Sequence, residues 1–317
     1  MFTLIPDSFN FNERLKIMKH VFILNPAAGK HKEALNLIPD IEKYFSKNPG
    51  DYAFHVTAGP NDASRIAKDY AETGEHVRLY ACGGDGTLAE VLNGAYGYEN
   101  IEIGFIPCGS ANDYIKSMGS SLKFDSIEAQ VKGSPISVDT IDCNGIKSFN
   151  ICCMGLDADV AYRMIYFKKY PFITGSMAYN LALVYMIFHK LGRKLNIMIE
   201  TGKETLEFKG EYLLALAANG QYYGGGYKGA PQAVFDDGLL DIVLIDKVSR
   251  FKIISFVKQY KLGNHLNLPF AHSFRGTKMT VTSDKPVTVC VDGECFSDRK
   301  IVFEIIPSSA KFVLPIN

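Results

Sequence analysis

Residues 77–90 read VRLYACGGDGTLAE, a short apolar run followed by a glycine-rich turn. The apolar run predicts a β-strand that ends at Cys82. Thr87, with Glu90 three residues later, forms a capping-box pattern that predicts a helix from about Leu88. The stretch therefore predicts a strand, a tight turn and a helix in direct succession, which is the beginning of an α/β unit.

The turn itself contains Gly83, Gly84, Asp85 and Gly86. Glycines let backbone N–H groups approach an anion, and the N-terminus of the next helix adds a partial positive charge. Such a turn is typical of a phosphate-binding site. A carboxylate repels phosphate unless a metal ion or a hydroxyl group lies between them. Asp85 therefore indicates a residue that binds Mg²⁺ or accepts a proton. The alternative is a plain strand-to-helix turn in which Asp85 is only a turn former.

The same alternation of strand and helical run extends over the first half of the chain. Apolar runs at 20–24, 52–57 and 101–106 accompany the run at 77–82, and a helical stretch follows each of them. Strands that alternate with helices predict a parallel sheet, whose functional loops gather at the carboxyl ends of the strands. The first 18 residues lack this pattern and are expected to form an appendage.

Two further loops close strands of this predicted sheet. Residues 25–30 read NPAAGK after the first strand, and residues 108–113 read CGSAND after the fourth. Either loop alone could be a capped turn. Three loops with small residues at neighbouring strand ends suit a nucleoside triphosphate and its metal.

After about residue 135 strand patterns dominate and predict a mostly antiparallel second domain. Residues 234–239 read VFDDGL, and residues 291–294 read VDGE. Carboxylate and carbonyl oxygens at 234–239 suit a hard cation such as Mg²⁺, although Asp-Gly before a strand is also a common turn. Asp-Gly at 292–293 favours a hairpin, with a pair of cleft-facing carboxylates as the alternative.

Composition narrows the class of protein. The 317 residues contain 34 Lys and Arg and 34 Asp and Glu, a balance that gives no support for nucleic-acid binding. Seven cysteines without C-x-x-C spacing, and an N-terminus without a signal-peptide pattern, predict free thiols in the cytoplasm. The uncharged stretch 172–188 predicts a buried helix, with a lipid-facing or membrane-surface helix as the alternative.

The chain contains five motifs: NPAAGK, GGDGT, CGSAND, VFDDGL and VDGE. They occur in the order seen in the diacylglycerol kinase catalytic family, which the chain resembles from about residue 19 to residue 316. GGDGT alone is not specific, because NAD kinases also carry it. The resemblance implies an N-terminal α/β domain at 19–135 that binds ATP. It also implies a β-rich, sandwich-like domain at 136–304 that receives lipid, and it allows the last strands, about 305–317, to return to the first domain.

The resemblance also implies roles for individual residues. The residues implied to line the nucleotide site are Asn25, Pro26, Ala27, Ala28, Gly29, Thr57, Gly83, Gly84, Gly86, Thr87, Leu88, Glu90 and Ser110. Asp85 is implied to lie between nucleotide, metal and acceptor hydroxyl. Asp292 and Glu294 are implied to flank the catalytic site, with Glu294 as the proton acceptor, which reverses the preference for a plain hairpin.

The same resemblance implies a structural Mg²⁺ held by Asp237 and by the carbonyls of Val234 and Leu239. The function that follows is transfer of the γ-phosphoryl group of ATP to the hydroxyl of a lipid alcohol, with diacylglycerol as the first choice and phosphatidic acid as its product. The implied partners are the lipid alcohol, ATP and a membrane surface, and a homodimer is left open. The alternatives are an NAD kinase-like enzyme and a non-catalytic lipid- or nucleotide-binding module.

Overall fold

A computed structural model describes residues 18–29, 32–119, 121–167, 169–170, 173, 175–189 and 191–317. Lys30 and the predicted appendage, apart from its last residue, lie outside these described residues. The described chain divides into two compact units. One contains residues up to 112 together with 121–137 and 310–317, and the other contains 113–119 and 138–309.

The first unit is built on four strands that pair in parallel. Their bounds are β1 Lys19–Leu24, β2 Tyr52–Val56, β3 Val77–Gly83 and β4 Ile101–Pro107. β1 lies between β2 and β3, and β4 lies on the other side of β3. The end of β13, Glu294–Leu314, reaches this unit, where Phe312 pairs in parallel with Ile103 of β4.

Helices follow the strands of this unit, with bounds α1 Ile38–Lys47, α2 Asp62–Ala71, α3 Asp85–Ala95 and α4 Ile127–Val131. Aromatic packing fills the space between α1 and the sheet. Phe22 stacks on Tyr80 with ring centroids 4.3 Å apart, and Phe45 stacks on Tyr52 at the same distance. This packing fixes the sheet whose strand ends carry the predicted loops.

The second unit is dominated by antiparallel strands. Their bounds are β5 Ser134–Cys143, β6 Ile146–Ser148, β7 Ile151–Gly155, β8 Arg193–Glu200, β9 Thr205–Ala218, β10 Leu240–Asp246, β11 Ala271–Gly276 and β12 Lys278–Val291. The paired order runs β11-β10-β9-β7-β12-β13, and β8 also pairs with β9 and β12. Alternate side chains enter two separate cores. Val289 and Val291 enter one of them, and Cys290 between them enters the other.

Three helices accompany these strands, with bounds α5 Leu156–Phe167, α6 Gly175–Phe188 and α7 Arg250–Leu262. The prediction that the stretch 172–188 is buried is wrong in part, because α6 is only half covered. Ala178 and Ala182 are buried, but Val184 and Phe188 are exposed. Residues 172 and 174 of that stretch lie outside the described residues.

The prediction of an α/β fold with a β-rich second domain is confirmed. The helix predicted from about residue 111 to residue 118 is shorter than expected, because only Tyr114–Ser117 is helical and that turn is a 3₁₀ helix. Among the helices of the described residues, none combines the length and the apolar character that crossing a bilayer requires.

Candidate active site

The predicted nucleotide loops of the first unit all begin at the carboxyl ends of its parallel strands. Three backbone hydrogen bonds extend the sheet into these loops: Asn25 N donates to Cys82 O, Thr57 N to Leu24 O, and Cys108 N to Gly83 O. Because parallel strands end at one edge of a sheet, the loops after β1, β3 and β4 lie side by side. The structure therefore brings together the loop residues that the sequence singled out.

The side chain of Asn25 joins the first loop to α3. Its Nδ2 donates to Thr87 Oγ1 at 2.9 Å, and its Oδ1 accepts from Ala27 N at 2.9 Å. The predicted capping box is wrong, since α3 begins at Asp85 with Gly84 as its N-cap, and no side chain caps it. Thr87 lies within the first turn of the helix, where its hydroxyl instead accepts the hydrogen bond from Asn25 of the first loop.

Glycines allow the loops to touch through their backbones. A Cβ on Gly109 would lie 2.5 Å from Gly84 Cα, and a Cβ on Gly29 would lie 2.6 Å from Cys108 O. Gly29 also has φ +74°, which favours glycine. No residue with a side chain fits at these contacts without displacing the neighbouring loop. At these two contacts the loops therefore meet through their backbones.

Asp85 occupies the first turn of α3, half-buried at the positive end of the helix dipole. A carboxylate there is stabilised by the helix, and it lies in the turn that is best placed to approach phosphate. Gly86 and Ser110 are exposed on the same loops. Ala27 and Gly29 of the first loop are exposed as well, so each of the three loops is accessible to a ligand.

Two other residues that were predicted to line the nucleotide site, Leu88 and Glu90, have structural roles. Leu88 is buried in the core under α3. Glu90 Oε2 accepts from the backbone N of Ala63 at 3.1 Å, so its carboxylate satisfies an N–H in the first turn of α2. Burial raises the pKa of the neighbouring Cys108 thiol to about 11, which keeps it protonated and poorly nucleophilic.

In the second unit, Asp292 and Gly293 form the turn of the β12–β13 hairpin. Both have positive φ, 45° and 99°, and Val291 pairs with Glu294 across the hairpin. Two residues with positive φ are the signature of a tight hairpin turn. Asp292 Oδ1 accepts from Ile151 N at 3.4 Å, and Glu294 is exposed. The predicted hairpin turn is therefore present, and the role of the two carboxylates stays a prediction.

The predicted Mg²⁺ residues lie in the loop before β10. The Asp237 carboxylate is engaged on both oxygens: Oδ1 accepts from Leu239 N at 3.1 Å, and Oδ2 is ion-paired with Arg275. Arg275 also lies 3.5 Å from Asp241, whose pKa burial raises to about 6. As folded, these residues do not fit a metal, because a guanidinium holds the position of the cation. Magnesium at Val234, Asp237 and Leu239 stays a prediction that requires Arg275 to move.

Sequence reasoning missed the residues that hold this loop in place. The buried carboxylate of Asp139 accepts from the backbone N of Gly238 at 2.7 Å and of Ser308 at 2.8 Å. Asn219 Nδ2 donates to the carbonyls of Asp139 and Phe149. Asp139 lies in a strand that also contains Ser137, Thr140 and Asp142, so the sequence does not distinguish it or reveal its distant partners.

Two family models match the chain. The model of the diacylglycerol kinase catalytic domain matches residues 19–143, and the model of the YegS C-terminal NAD kinase beta sandwich-like domain matches residues 150–314. The second match alone covers half of the chain. The first match covers most of the first unit, and the second covers most of the second unit.

Curated relatives agree with these matches. A protein of Shewanella frigidimarina named "Probable lipid kinase YegS-like" is 30% identical over 246 residues, which cover 76% of this chain and 77% of that protein. A protein of Bacillus subtilis named diacylglycerol kinase is 26% identical over 275 residues, which cover 86% of this chain and 88% of that protein.

Solved structures show the same fold. One from Bacillus anthracis has a TM-score of 0.73 at 22% identity, covering 93% of this chain and 97% of that chain. Another from the same organism, described as a diacylglycerol kinase, has a TM-score of 0.66 at 18% identity, covering 93% of this chain and 96% of that chain. The domain matches and the curated relatives place the chain in the diacylglycerol kinase catalytic family, and the protein is a lipid kinase.

Proposed function

We propose that the protein transfers the γ-phosphoryl group of ATP to the hydroxyl of diacylglycerol and releases phosphatidic acid and ADP. The observation that supports this most directly is the set of glycine-rich loops at the ends of β1, β3 and β4, with Asp85 at the N-terminus of α3. The choice of diacylglycerol rests on relatives that carry that name, whereas others are named only as lipid kinases.

ATP is assigned to the first unit. Backbone N–H groups of the loops that contain Gly29, Gly84 and Gly109 would bind the phosphates, since glycine leaves them uncovered. The dipole of α3 adds attraction for the negative charge. Mg²⁺ bound with ATP would neutralise charge on the phosphates, as in other phosphoryl transfers. Asp85 is the carboxylate that we assign to holding the metal and the acceptor hydroxyl.

The second unit is assigned to the lipid and to proton acceptance. In the transfer, the lipid hydroxyl oxygen forms a bond to the γ-phosphorus as the bond from that phosphorus to the β-phosphate bridging oxygen breaks. The hydroxyl proton passes to a carboxylate, a step worth roughly 10²–10⁴-fold in rate. Glu294 is our first choice as acceptor, because its exposed carboxylate stands at the end of a fixed hairpin. Asp292 is assigned to positioning in the same turn.

The test is transfer of label from γ-labelled ATP to diacylglycerol by Asp85→Asn, Asp292→Asn and Glu294→Gln. We expect losses of about 10²–10⁴-fold in kcat for Asp85→Asn and Glu294→Gln. Asp298→Asn is the matched control, because Asp298 is an exposed acid on the same strand as Glu294. Stabilisation of each variant by ATP on heating separates loss of chemistry from loss of binding. Full turnover by Asp85→Asn would remove it from the mechanism.

A further inference from the structure

Three cysteine side chains lie in a row across adjacent strands of the second unit. Cys290 of β12 is directly opposite Cys295 of β13 on one side and Cys153 of β7 on the other. Directly opposite residues of antiparallel strands project from the same face of the sheet. The thiol of Cys290 forms hydrogen bonds with both neighbouring thiols. The proposed transfer reaction uses none of these sulfur atoms, so it does not account for their juxtaposition.

The pair of Cys290 and Cys295 lies immediately behind the turn of the β12–β13 hairpin. Val291 pairs with Glu294 on either side of that two-residue turn, and the cysteines are the next pair along the hairpin. The two residues that flank such a turn exchange both backbone hydrogen bonds, and opposed pairs then alternate along the strands. Cys290 and Cys295 are therefore a non-hydrogen-bonded pair.

A non-hydrogen-bonded pair has the geometry that a disulfide needs. Its Cα atoms are about 4.5 Å apart, and its side chains are closer than those of a hydrogen-bonded pair. Disulfides span Cα–Cα distances of about 4.4–6.8 Å and Cβ–Cβ distances of about 3.5–4.5 Å. The backbone N–H and C=O of Cys290 point away from β13 and toward β7, so its pair with Cys153 is the hydrogen-bonded kind. The geometry therefore favours Cys295 as the partner of Cys290.

Cys295 is also the cysteine that a reagent can reach. It is partly exposed, whereas the other six cysteines of the chain are buried. Its hydrogen bond with Cys290 and its partial burial both raise the pKa of its thiol, which is therefore protonated at neutral pH. Because the thiolate is the nucleophile, Cys295 should react with an oxidant slowly at neutral pH and faster in alkaline solution.

We propose that Cys290 and Cys295 are a site of reversible oxidation, at which a peroxide converts the two thiols into a disulfide across the hairpin. The thiolate of Cys295 attacks one oxygen of hydrogen peroxide, the O–O bond breaks, and a sulfenic acid and water form. The sulfur of Cys290 then attacks the sulfur of Cys295, and the S–O bond breaks as the S–S bond forms. The departing hydroxide takes the thiol proton of Cys290 and leaves as a second water. The two thiols lose two electrons in total, and the peroxide gains them.

The disulfide would regulate the kinase, a consequence that rests on the proposed function, in which Glu294 accepts the hydroxyl proton. A disulfide holds its Cβ atoms about 3.8 Å apart, whereas an open pair holds them about 4.5 Å or more apart. Bond formation therefore draws β12 and β13 together directly behind the turn and shifts Glu294, the residue next to Cys295. Because a displacement of about 1 Å can lower a rate about 10²-fold, oxidation should lower kcat about tenfold or more.

The first measurement is mass spectrometry of tryptic peptides after the full chain is treated with hydrogen peroxide at about pH 9, where more thiolate is present. Trypsin releases both cysteines in one peptide, residues 279–299, because the bond between Lys285 and Pro286 resists cleavage. We expect this peptide to lose the mass of two hydrogen atoms and to regain it with dithiothreitol. A cross-link from this peptide to the one that contains Cys153, or oxidation of Cys295 without any disulfide, would overturn the proposal.

The second measurement is label transfer from γ-labelled ATP to diacylglycerol in detergent micelles, before and after the same treatment. The oxidised native chain should lose about tenfold or more in kcat, and dithiothreitol should restore the loss. Cys295→Ala should transfer label like the reduced native chain and should keep its activity after treatment. Cys152→Ala is the matched control and should lose activity like the native chain, because it removes a thiol of β7 that enters the other core.

The two measurements separate this proposal from the proposed function. No label transfer by the reduced native chain would count against the proposed function, and the peptide masses would still test the disulfide. A loss of activity that Cys295→Ala shares with the native chain would overturn the proposal, because the sensitive group would lie elsewhere. A complete disulfide between Cys290 and Cys295 that leaves kcat unchanged would overturn the regulatory effect.

Discussion

Asp292 and Gly293 form the hairpin turn that is one of the two interpretations of this stretch of sequence. Asp-Gly predicts a two-residue hairpin turn, and both residues adopt the positive φ that such a turn requires. The turn also fixes the backbone positions from which the carboxylates of Asp292 and Glu294 extend, because Val291 and Glu294 are paired across it. The turn was predictable from local sequence. The functional role of its carboxylates rests on the family resemblance and remains a prediction.

Asp157 is a buried carboxylate that no motif revealed. Tyr223 and Tyr260 donate hydrogen bonds to it, yet burial raises its pKa to about 6. A raised pKa means that the folded protein favours the protonated acid. The associated stability is therefore complete below the ordinary carboxyl pKa and is lost as the pH rises through about 6.

Asp157→Asn replaces this carboxylate with a neutral group of similar shape. Between about pH 4 and pH 7, the free energy of unfolding of the variant relative to the native chain should rise by about 2 kcal/mol. Urea unfolding at several pH values measures this difference. A difference that stays constant with pH would show that folding does not raise the pKa of Asp157.

Arg275 gives a second prediction for a single residue. If its guanidinium is the cation at Asp237 and Asp241, the unfolding temperature of the native chain should not respond to Mg²⁺ or to a chelator. Arg275→Ala leaves two neighbouring carboxylates without their counter-ion, so it should lower the unfolding temperature and make it rise with added Mg²⁺.

Lys278→Ala is the control for Arg275→Ala. It removes a cation from β12, the next strand, where Lys278 forms an ion pair with Glu304. It should have little effect and no dependence on Mg²⁺. Destabilisation of the native chain by a chelator alone would instead support a metal at Val234, Asp237 and Leu239.

Elements of the first unit were largely predictable. The strands at 20–24, 52–57, 77–82 and 101–106 are found within one or two residues, because each is a short apolar run that ends at a turn signal. The start of α3 was placed three residues late. Thr87 and Glu90 match a capping box locally, but distant partners, Asn25 and Ala63, take their polar atoms.

Elements of the second unit were harder to predict. β9, β12 and β13 each extend beyond a single apolar run, because exposed polar residues interrupt the apolar alternation without ending the strand. The pairing of β12 with β13 changes register between Thr282 and Val287, where the apolar pattern of the sequence is interrupted. The helix α7 was missed, since its exposed apolar side chains obscure the periodicity of its buried face.

The contact of Gly84 with Gly109 gives the prediction for the nucleotide loops. Gly109→Ala would place a Cβ 2.5 Å from Gly84 Cα, so the loops after β3 and β4 must separate. We expect a loss of about 1–3 kcal/mol in the free energy of unfolding and an increase in the KM for ATP.

Gly59→Ala is the matched control for Gly109→Ala, because nothing lies within 4 Å of its Cβ. Urea unfolding and the ATP dependence of the rate are the two measurements. Equal behaviour of the two variants would show that the close approach of these loops is not required.

At the scale of the whole molecule, the two units do not follow the chain in simple order. Residues 113–119 belong to the second unit, where Asp113 Oδ2 accepts from Gly225 N at 2.7 Å and Ser117 Oγ accepts from Gln221 N at 2.9 Å. These partners are more than 100 residues away. Local sequence patterns carry no information on such contacts, which is why a boundary near residue 135 was the best that the sequence allowed.

The central claim concerns the whole molecule: the first unit binds ATP, and its γ-phosphoryl group reaches a lipid hydroxyl. The most direct measurement is the transfer of label from γ-labelled ATP to each member of a panel of acceptors. The panel contains diacylglycerol, sphingoid bases, other long-chain alcohols and NAD, and the Asp85→Asn variant is the negative control. The account predicts label on diacylglycerol, none on NAD, and none on any acceptor with the variant. Label on NAD, or ATP binding without label on any lipid, would contradict it.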